Sequence, residues 1–485
     1  MNTKDSSLLK VIETTPTIIL GMGREGWSTY LFLRKKFPNL QLGLADRKPL
    51  EKFSAQQQEI LNNDKNLSLH FGPDHLSKLS AYKLIFKSPG IPQTTPEIAE
   101  AIRSGGKLTS HLQLFFELCS GITIGITGTK GKSTTSALIH HVLQTNDLNT
   151  QLVGNIGQPA LDLLPEINSD SLVVCELSSH QLETLTISPH IAVVQNVTSE
   201  HLDYYADTTS YQQAKMPITQ FQSANDFVIF NPEFKGSSMI AQLSAGKHLR
   251  FSTTEGPDAV VFVRNGIILR KDQLQRTEEI LPINKLPLRG EHNVLNAMPA
   301  IIVGTIFNLS AEQIRNSLES FKSLPHRLEF VLERKNTSYF DDSLSTMPDA
   351  AIKALESFNG PVVLIAGGYE RQQDFVELAK TILDKNVVGL ILFQPTGKRL
   401  EMELKKLEPL LNEEEISEEL VKIEFAESMI EAVGKAQYLM EKYLQKQPTN
   451  KGTIILSPAS ASFGMFKDYQ DRGEQFKEAV KNLVL

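Results

Sequence analysis

The run Ile122-Thr-Ile-Gly-Ile126 passes through Thr127 into Gly128-Thr129-Lys130-Gly131-Lys132-Ser133-Thr134, and a helix-forming stretch, Thr135 to Gln144, follows. A continuous apolar run reads as a strand covered on both faces, as in a parallel α/β sheet. Glycines after such a strand let successive backbone N–H groups curl around an anion at a helix start. The lysine brings positive charge to β/γ-phosphates, and the serine hydroxyl can ligate Mg²⁺. The full phosphate-loop pattern wants glycine five positions before Gly131, where Ile126 stands, so this is a shortened G-T-x-G-K-S-T variant. Strand, turn, lysine, hydroxyl and helix coincide, which points to ATP or GTP rather than to a bare glycine turn.

Two further β-branched runs end the same way. Thr17-Ile-Ile-Leu20 enters Gly21-Met-Gly23, and Val362-Val-Leu-Ile-Ala366 enters Gly367-Gly368. Openings this far apart predict three α/β units in series rather than one large sheet. Arg103-Ser-Gly-Gly-Lys107 reads as a turn ahead of a linker near residues 108–114. A helical stretch from Asn293 to Ser320 closes the second unit, and Leu324-Pro-His-Arg327 opens the third. The expected domains are residues 1–112, 113–323 and 324–485. The glutamate-rich run 408–424 reads as a solvated helix face.

Composition narrows the class. The 485 residues carry 49 Lys+Arg against 56 Asp+Glu, a net charge of −7, which argues against a general nucleic-acid binder. At 41% hydrophobic and 22% charged, the chain is ordinary for a globular protein. Cys119 and Cys175 cannot build a disulfide framework and fit a reducing compartment. Val387 to Phe393 is apolar but far shorter than the about 18 residues of a spanning helix, and the N-terminus has no signal-peptide core. A cytoplasmic protein without membrane insertion is expected, and a monomer.

A second cluster follows the phosphate loop. The strand Ser171-Leu-Val-Val-Cys175 runs into Glu176-Leu-Ser-Ser-His-Gln181, and Ile191 to Gln195 runs into Asn196-Val-Thr-Ser-Glu-His201-Leu-Asp203. An acid and a histidine just past strand carboxyl ends converge where α/β proteins bind ligands. Glu176 offers a hard oxygen to Mg²⁺, and His201 is a less usual ligand. Lys215 by itself is an unremarkable helix lysine. Near the N-terminus, Gly21-Met-Gly-Arg-Glu-Gly26 fits G-x-G-x-x-G, with Asp46 twenty residues beyond. Alone, that fingerprint says nicotinamide dehydrogenase, and it is weak alone.

Together these residues resemble the Mur ligase family, ATP-dependent amide-forming enzymes of peptidoglycan stem-peptide synthesis, and within it the glutamate-adding members. The matching motifs run nearly end to end: GTKGKST at 128–134, GNIGQPA at 154–160, ELSSHQLE at 176–183, NVTSEHLD at 196–203, GEHNVLNA at 290–297, LPHRLE at 324–329, LSPASASFGMF at 456–466 and RGEQF at 472–476. The resemblance implies a Rossmann-like N-terminal UDP-binding domain, a central P-loop ATPase-type α/β domain and a C-terminal Rossmann-like α/β domain. It implies UDP-N-acetylmuramoyl-L-alanine, glutamate and ATP as ligands, with two Mg²⁺.

Carried over position by position, Gly128 to Thr134 hold the ATP phosphates, with Lys132 catalytic and Ser133 on one Mg²⁺. Glu176, His201 and Lys215 match the metal ligands, Lys215 as the family's carbamylated lysine and, with His201, a catalytic position. Asn293, Arg327 and Asp342 match positions that hold the adenosine and phosphates. Gly23, Arg24, Glu25, Asp46, Arg47, Ser88, Pro89 and Gly90 match the UDP-holding turns, and Asn155, Ser178 and Gln181 the muramoyl-alanine end. Thr346, Arg371, Ser462, Phe463 and Tyr469 match the surroundings of the incoming amino acid.

That last pocket departs from the family pattern. Where the family reads D-S-K-A-T-N, this chain has Asp342-Ser-Leu-Ser-Thr-Met347, so Leu344 replaces a lysine expected to steady a carboxylate. Arg371 keeps a cation whose planar fork suits a carboxylate. Leu344 points to an altered pocket, open to L-glutamate; with Arg371 in the lysine's role, D-glutamate stands. Folylpolyglutamate synthase-like ligation shares the phosphate loop and lacks a UDP-binding first domain, against which residues 1–110 argue. A non-catalytic relative is expected to lose Lys132, Glu176 or His201, and all three are present.

Overall fold

A computed structural model describes residues 7–200, 204–272, 274–407 and 421–483. Three sheets carry the chain. In the first, β1 (Thr17–Leu20), β2 (Leu42–Asp46), β3 (Leu67–Phe71), β4 (Leu84–Lys87) and β5 (Lys107–Thr109) lie in the order β3-β2-β1-β4-β5 and all pair in parallel. β1 and β4 are buried throughout, which is why their sequences show no polar alternation. The chain reverses its direction of travel between β1 and β4, and that switch opens a crevice outside their carboxyl ends.

The second sheet holds nine strands: β6 (Ile122–Thr127), β7 (Thr150–Gly154), β8 (Leu172–Glu176), β9 (Ile191–Val194), β10 (Phe227–Phe230), β11 (Lys247–Phe251), β12 (Ala259–Arg264), β13 (Ile267–Lys271) and β14 (Thr277–Pro282). Their order is β14-β13-β12-β11-β10-β9-β6-β8-β7, parallel except for the β12-β13-β14 edge. β6 sits between β9 and β8, so the ends of these three strands share one rim.

The third sheet runs β15-β16-β20-β17-β18-β19, from β15 (Glu329–Arg334), β16 (Thr337–Asp341), β17 (Val362–Gly367), β18 (Val387–Phe393), β19 (Lys422–Phe425) and β20 (Gly452–Leu456). Only the β15–β16 pair is antiparallel. Its two faces pack separate cores, one around Leu364 and Leu378, the other around Ile365 and Phe476. Residues 1–284 with 295–319 form one compact unit, and 285–294 with 320–485 another. The first two sheets belong to the first unit.

Three local expectations change. Residues 108–114 are no loose linker: β5 ends at Thr109, and the helix His111–Leu118 follows, capped by Ser110, whose Oγ accepts from Gln113 N at 3.1 Å. Leu112, Leu114, Phe115 and Phe116 are buried in the core that joins the first two sheets, so apolar residues on every face hold it in place. Lys215 lies in a turn between the helices Thr208–Gln213 and Pro217–Gln220, because Pro217 cannot continue the first. Of the glutamate-rich run, residues 408–420 lie outside the described residues, and Lys422–Phe425 is a strand, with Ile423 and Phe425 packed on the core around Leu364 and Leu378. Among the described residues, no helix is long and apolar enough to cross a membrane.

Candidate active site

The phosphate loop leaves β6 and enters the helix Lys132–Gln144 through Gly131, whose φ of 85° lies in the left-handed region. A Cβ there would stand 2.3 Å from Asn296 Oδ1, so only glycine lets the loop close. Neighbouring strands brace it. Thr129 N donates to Asn196 O at 2.7 Å, and Thr129 Oγ1 accepts from Thr198 N at 2.9 Å and meets Tyr211 OH at 3.1 Å. Lys132 folds over the loop, its Nζ donating to the Gly128 and Thr129 carbonyls at 2.9 Å each. The ammonium and the first helical N–H groups therefore face the same space, where a phosphate would be held from both sides. Ser133 is the second residue of that helix, and Thr134 beside it is buried. Lys130 points outward to Glu200 at 2.8 Å.

Glu176 ends β8, the strand beside β6, where it pairs with Ile126, and is fully buried. Its Oε1 accepts from Asn155 Nδ2 at 2.9 Å, while Oε2 has no hydrogen-bond partner among the described residues. A buried carboxylate oxygen without a donor is costly unless a cation answers it, so Glu176 with the Ser133 hydroxyl fits a hard divalent ion. Lys215 is 1% exposed, with Nζ 3.1 Å from Gly128 O, 3.4 Å from Thr127 Oγ1 and 4.6 Å above the Tyr211 ring. Burial, helped by the Lys132 charge, holds its ammonium well below the ordinary lysine range. The same burial favours the neutral amine over the ammonium beside the phosphate loop. His201 lies outside the described residues.

At the first sheet, Met22 N donates to Asp46 Oδ2 at 2.6 Å and Lys48 N to Oδ1 at 2.7 Å, so Asp46 ties β2 to the glycine turn after β1. Ser88 Oγ donates to Gly21 O at 2.8 Å, which brings the turn after β4 alongside. Gly23, Arg24 and Glu25 begin the helix Arg24–Lys36; Pro89 is half-buried, and Gly90 and Arg47 are exposed at the same rim. Ser178 caps the short helix Ser179–Leu182, with the Gln181 side chain reaching back to its N–H. Ser178 and Gln181, two of the three residues that the resemblance places at the muramoyl-alanine end, thus also hold their own turn.

In the second unit the candidates cluster at the ends of the adjacent strands β16, β20 and β17. Asp342 follows β16, fully buried, accepting from Leu328 N at 3.1 Å and Ser457 Oγ at 2.8 Å; burial pushes its carboxyl up to about 6. Thr346 N donates to Leu344 O at 2.9 Å, and Ala459 N to Ser345 O at 2.9 Å, which joins this loop to the one carrying Ser462 and Phe463. Arg371 lies 5.3 Å over the exposed Phe463 ring. Tyr469 O accepts from Ser343 Oγ at 2.7 Å. Asn293 Nδ2 donates to Arg289 O at 2.6 Å in the same unit, to which Arg327 also belongs. His326, Glu329 and Asp341 bring a histidine and two carboxylates together, but His326 already bonds Asp341 at 2.7 Å and Lys477 neutralises Glu329 at 3.2 Å.

The site depends on residues that sequence reading did not single out. Tyr211, four positions before Lys215, touches both Lys215 and Thr129; that spacing was the available signal. Asn296 sits inside the 290–297 motif yet draws attention only once it fills the space beside Gly131. Arg472, fully buried, donates to Ser343 Oγ, Ser343 O and Ser460 O at 2.9, 2.8 and 3.0 Å and so knits two loops of the third sheet.

A model of the Mur ligase middle domain matches residues 126–304, and one of the MurD-like N-terminal domain matches residues 15–110. A Clostridium botulinum protein named UDP-N-acetylmuramoylalanine–D-glutamate ligase is 31% identical over 485 residues, covering 100% of both chains. The chain belongs to the Mur ligase family. Mur ligases are ATP-dependent ligases of peptidoglycan synthesis, and this Mur ligase resembles the MurD members from end to end. Its fold is that of the solved UDP-N-acetylmuramate-alanine ligase MurC from Thermotoga maritima, with a TM-score of 0.54 at 19% identity, covering 96% of this chain and 99% of that one. A Mycobacterium tuberculosis folylpolyglutamate synthase, solved with ADP and AMPPCP, matches with a TM-score of 0.53 at 16% identity but covers 74% of this Mur ligase and 91% of its own chain. The dehydrogenase reading of the first glycine turn falls: the same turn belongs to a MurD-like domain.

Proposed function

We propose that this Mur ligase joins D-glutamate to UDP-N-acetylmuramoyl-L-alanine with ATP hydrolysed to ADP and phosphate. The observation that carries the reading is likeness over the whole chain to ligases of that name, joined to a phosphate loop with two buried groups, Glu176 and Lys215, beside it. The L-alanine carboxylate attacks the ATP γ-phosphorus, which gives an acyl phosphate and ADP. The glutamate amine then attacks the acyl carbon, loses a proton and expels phosphate. The first step brings two anions together, and at 4 Å such a pair repels by about 4 kcal/mol at an effective dielectric of 20.

Lys132 opposes that repulsion at the β/γ-phosphates, with the helix N-terminus behind it. Lys215, whose burial disfavours the ammonium, adds its amine to carbon dioxide and loses a proton, becoming a carbamate with carboxylate-like oxygens. That carbamate, Glu176, Ser133 and His201 would hold two Mg²⁺, which neutralise phosphate charge when bound. Residues 1–112 take the UDP moiety through Gly23, Arg24, Glu25, Asp46, Arg47 and Ser88 to Gly90, with Asn155, Ser178 and Gln181 toward the alanine. Residues 113–323 take ATP and metals, and 324–485 the amino acid, at Thr346, Arg371, Ser462, Phe463 and Tyr469, with Arg327 and Asp342 toward the nucleotide. Cys119 and Cys175, both buried and neither in a disulfide, suit the cytoplasm.

One observation favours a second reading. Leu344 supplies no cation where the family has lysine, so the amino-acid carboxylate rests on Arg371, and L-glutamate becomes admissible. Phosphate release with ATP, Mg²⁺ and UDP-N-acetylmuramoyl-L-alanine, compared between the two enantiomers, tests both. D-glutamate alone should support turnover; turnover with L-glutamate alone selects the second reading, and turnover with neither rejects both.

A further inference from the structure

Polar contacts join the turns of the first sheet to the segments that follow β7 and β8. Arg24 Nη2 donates to Gly157 O at 2.6 Å, Gln181 Nε2 donates to the Glu25 carboxylate, and Lys87 pairs with Glu183 at 2.9 Å. The third is the most enclosed. Lys87 ends β4 with a fully buried side chain, and its ammonium has three acceptors: Glu183 Oε1, Ile91 O at 2.8 Å and Ser88 O at 3.3 Å. The Tyr204 hydroxyl lies 2.9 Å from the same Glu183 oxygen and 3.1 Å from Ile91 O. Burial pulls the Lys87 ammonium below its usual range, and Glu183 and Glu25 oppose that pull.

A buried ion pair adds little net stability compared with well-packed apolar residues, but it fixes geometry, because neither partner can leave without stranding a charge. The two segments it joins have no such need on their own. Ser88 to Gly90 belong to a turn proposed for the UDP moiety, and Ser178 and Gln181 to the segment proposed for the acyl end. We propose that Lys87 is a positioning residue for the UDP-linked substrate: it clamps the Ser88–Ile91 turn to the Ser178–Glu183 segment and so fixes the distance between the groups that hold the two ends of one ligand. The proposal rests on the ligase reading. The three donors of Lys87 are spent on Glu183 and the turn carbonyls, so it acts through the turn it holds.

The test uses the full chain and four variants: Lys87→Met, Lys87→Arg, Glu183→Gln, and Lys87→Met with Glu183→Gln. Affinities for UDP alone and for UDP-N-acetylmuramoyl-L-alanine are measured by calorimetry beside steady-state kinetics. UDP occupies only the first-sheet turns, so Lys87→Met should leave its affinity within about twofold while the whole substrate weakens about tenfold and kcat falls roughly 10- to 100-fold through misplacement of the carboxylate. The KM for ATP should not move, and Lys87→Arg should recover part of the loss. The double variant strands no charge, so it keeps the test open where Lys87→Met does not fold, and it should be no worse than the poorer single variant. Equal weakening of UDP and whole substrate, or no weakening of either, overturns the clamp. A wild-type chain that does not turn the substrate over overturns the ligase reading as well; turnover unchanged in every Lys87 variant overturns the clamp alone.

Discussion

Lys215 shows how the fold changes the chemistry of one residue. Its sequence context is that of any helix lysine, yet in the turn before Pro217 it is buried against Gly128 O and the Tyr211 ring, with its charge disfavoured. A neutral amine is the form that reacts with carbon dioxide, so the same burial that makes a lysine costly there prepares it for carbamylation. Lys215→Ala should lower turnover by about 10²–10³-fold, the usual loss for one group that stabilises developing charge, and added formate should restore part of it. Unrescued loss in a variant that melts like the wild type would argue against the carbamate. Asp342 is perturbed in the opposite sense. Its folded carboxyl titrates at about 6 against 3.8 unfolded, so the native state holds the extra proton between those values. The contribution is fully present below pH 3.8 and is lost as pH rises through 6. Relative to Asp342→Asn, the wild type should lose about 2 kcal/mol of unfolding free energy between pH 4.5 and pH 7 in urea titrations. A flat difference would mean the carboxyl is not raised.

At the scale of elements, the strand–glycine–helix openings were readable because a parallel strand must be apolar on both faces and a phosphate-binding turn must be glycine-rich. β1, β6 and β17 stand within a residue of where their sequences place them. The hairpin between β12 and β13 carries an equally local signal, Asn265-Gly266 with both φ positive, the pair that suits a two-residue turn between antiparallel strands. The helix His111–Leu118 was hidden for another reason. Only the fold shows that the first two sheets close on it from all sides, and eight residues are too few to display a buried face by period. His111 ties it in: Nδ1 meets Thr29 Oγ1 at 3.0 Å, and Nε2 accepts from Leu161 N at 3.3 Å, so the ring bridges two other helices as a neutral group. Burial pulls its titration down to about 3 from 6.5. The stability it lends is present above pH 6.5 and is lost as pH falls toward 3, by about 3 kcal/mol between pH 7 and pH 4.5. His111→Ala should cost about 2–4 kcal/mol at neutral pH through the cavity and the stranded Leu161 N–H. It should also show a shallower loss of stability on acidification in the same urea series.

For the whole molecule, the net charge of −7 says little about ligands that are themselves anions. Cations are spent locally, on Lys132 at one turn and Arg371 at another, while acids elsewhere set the total. Motifs spread from residue 21 to 476 made the family readable, whereas the contacts that hold them in register, such as Lys87 with Glu183 and Arg472 with Ser343, pair residues 96 and 129 positions apart and leave no sequence signal. If each sheet serves one ligand, each ligand should quieten its own turns, because binding lowers the population of locally opened states where it makes contact. Hydrogen exchange over minutes to hours reads those openings amide by amide. UDP should slow exchange at residues 21–26, 46–48 and 88–91 and leave 128–134 unchanged. ADP with Mg²⁺ should slow 128–134, and with the UDP-linked substrate present, glutamate should add protection at 342–346, 367–371 and 460–463. Protection of 128–134 by UDP, or of the first-sheet turns by ADP, would break the assignment of one ligand to each sheet even in an enzyme that turns over. In that case the G-x-G-x-x-G turn and the phosphate loop would have exchanged roles, although both place an anion at a helix N-terminus.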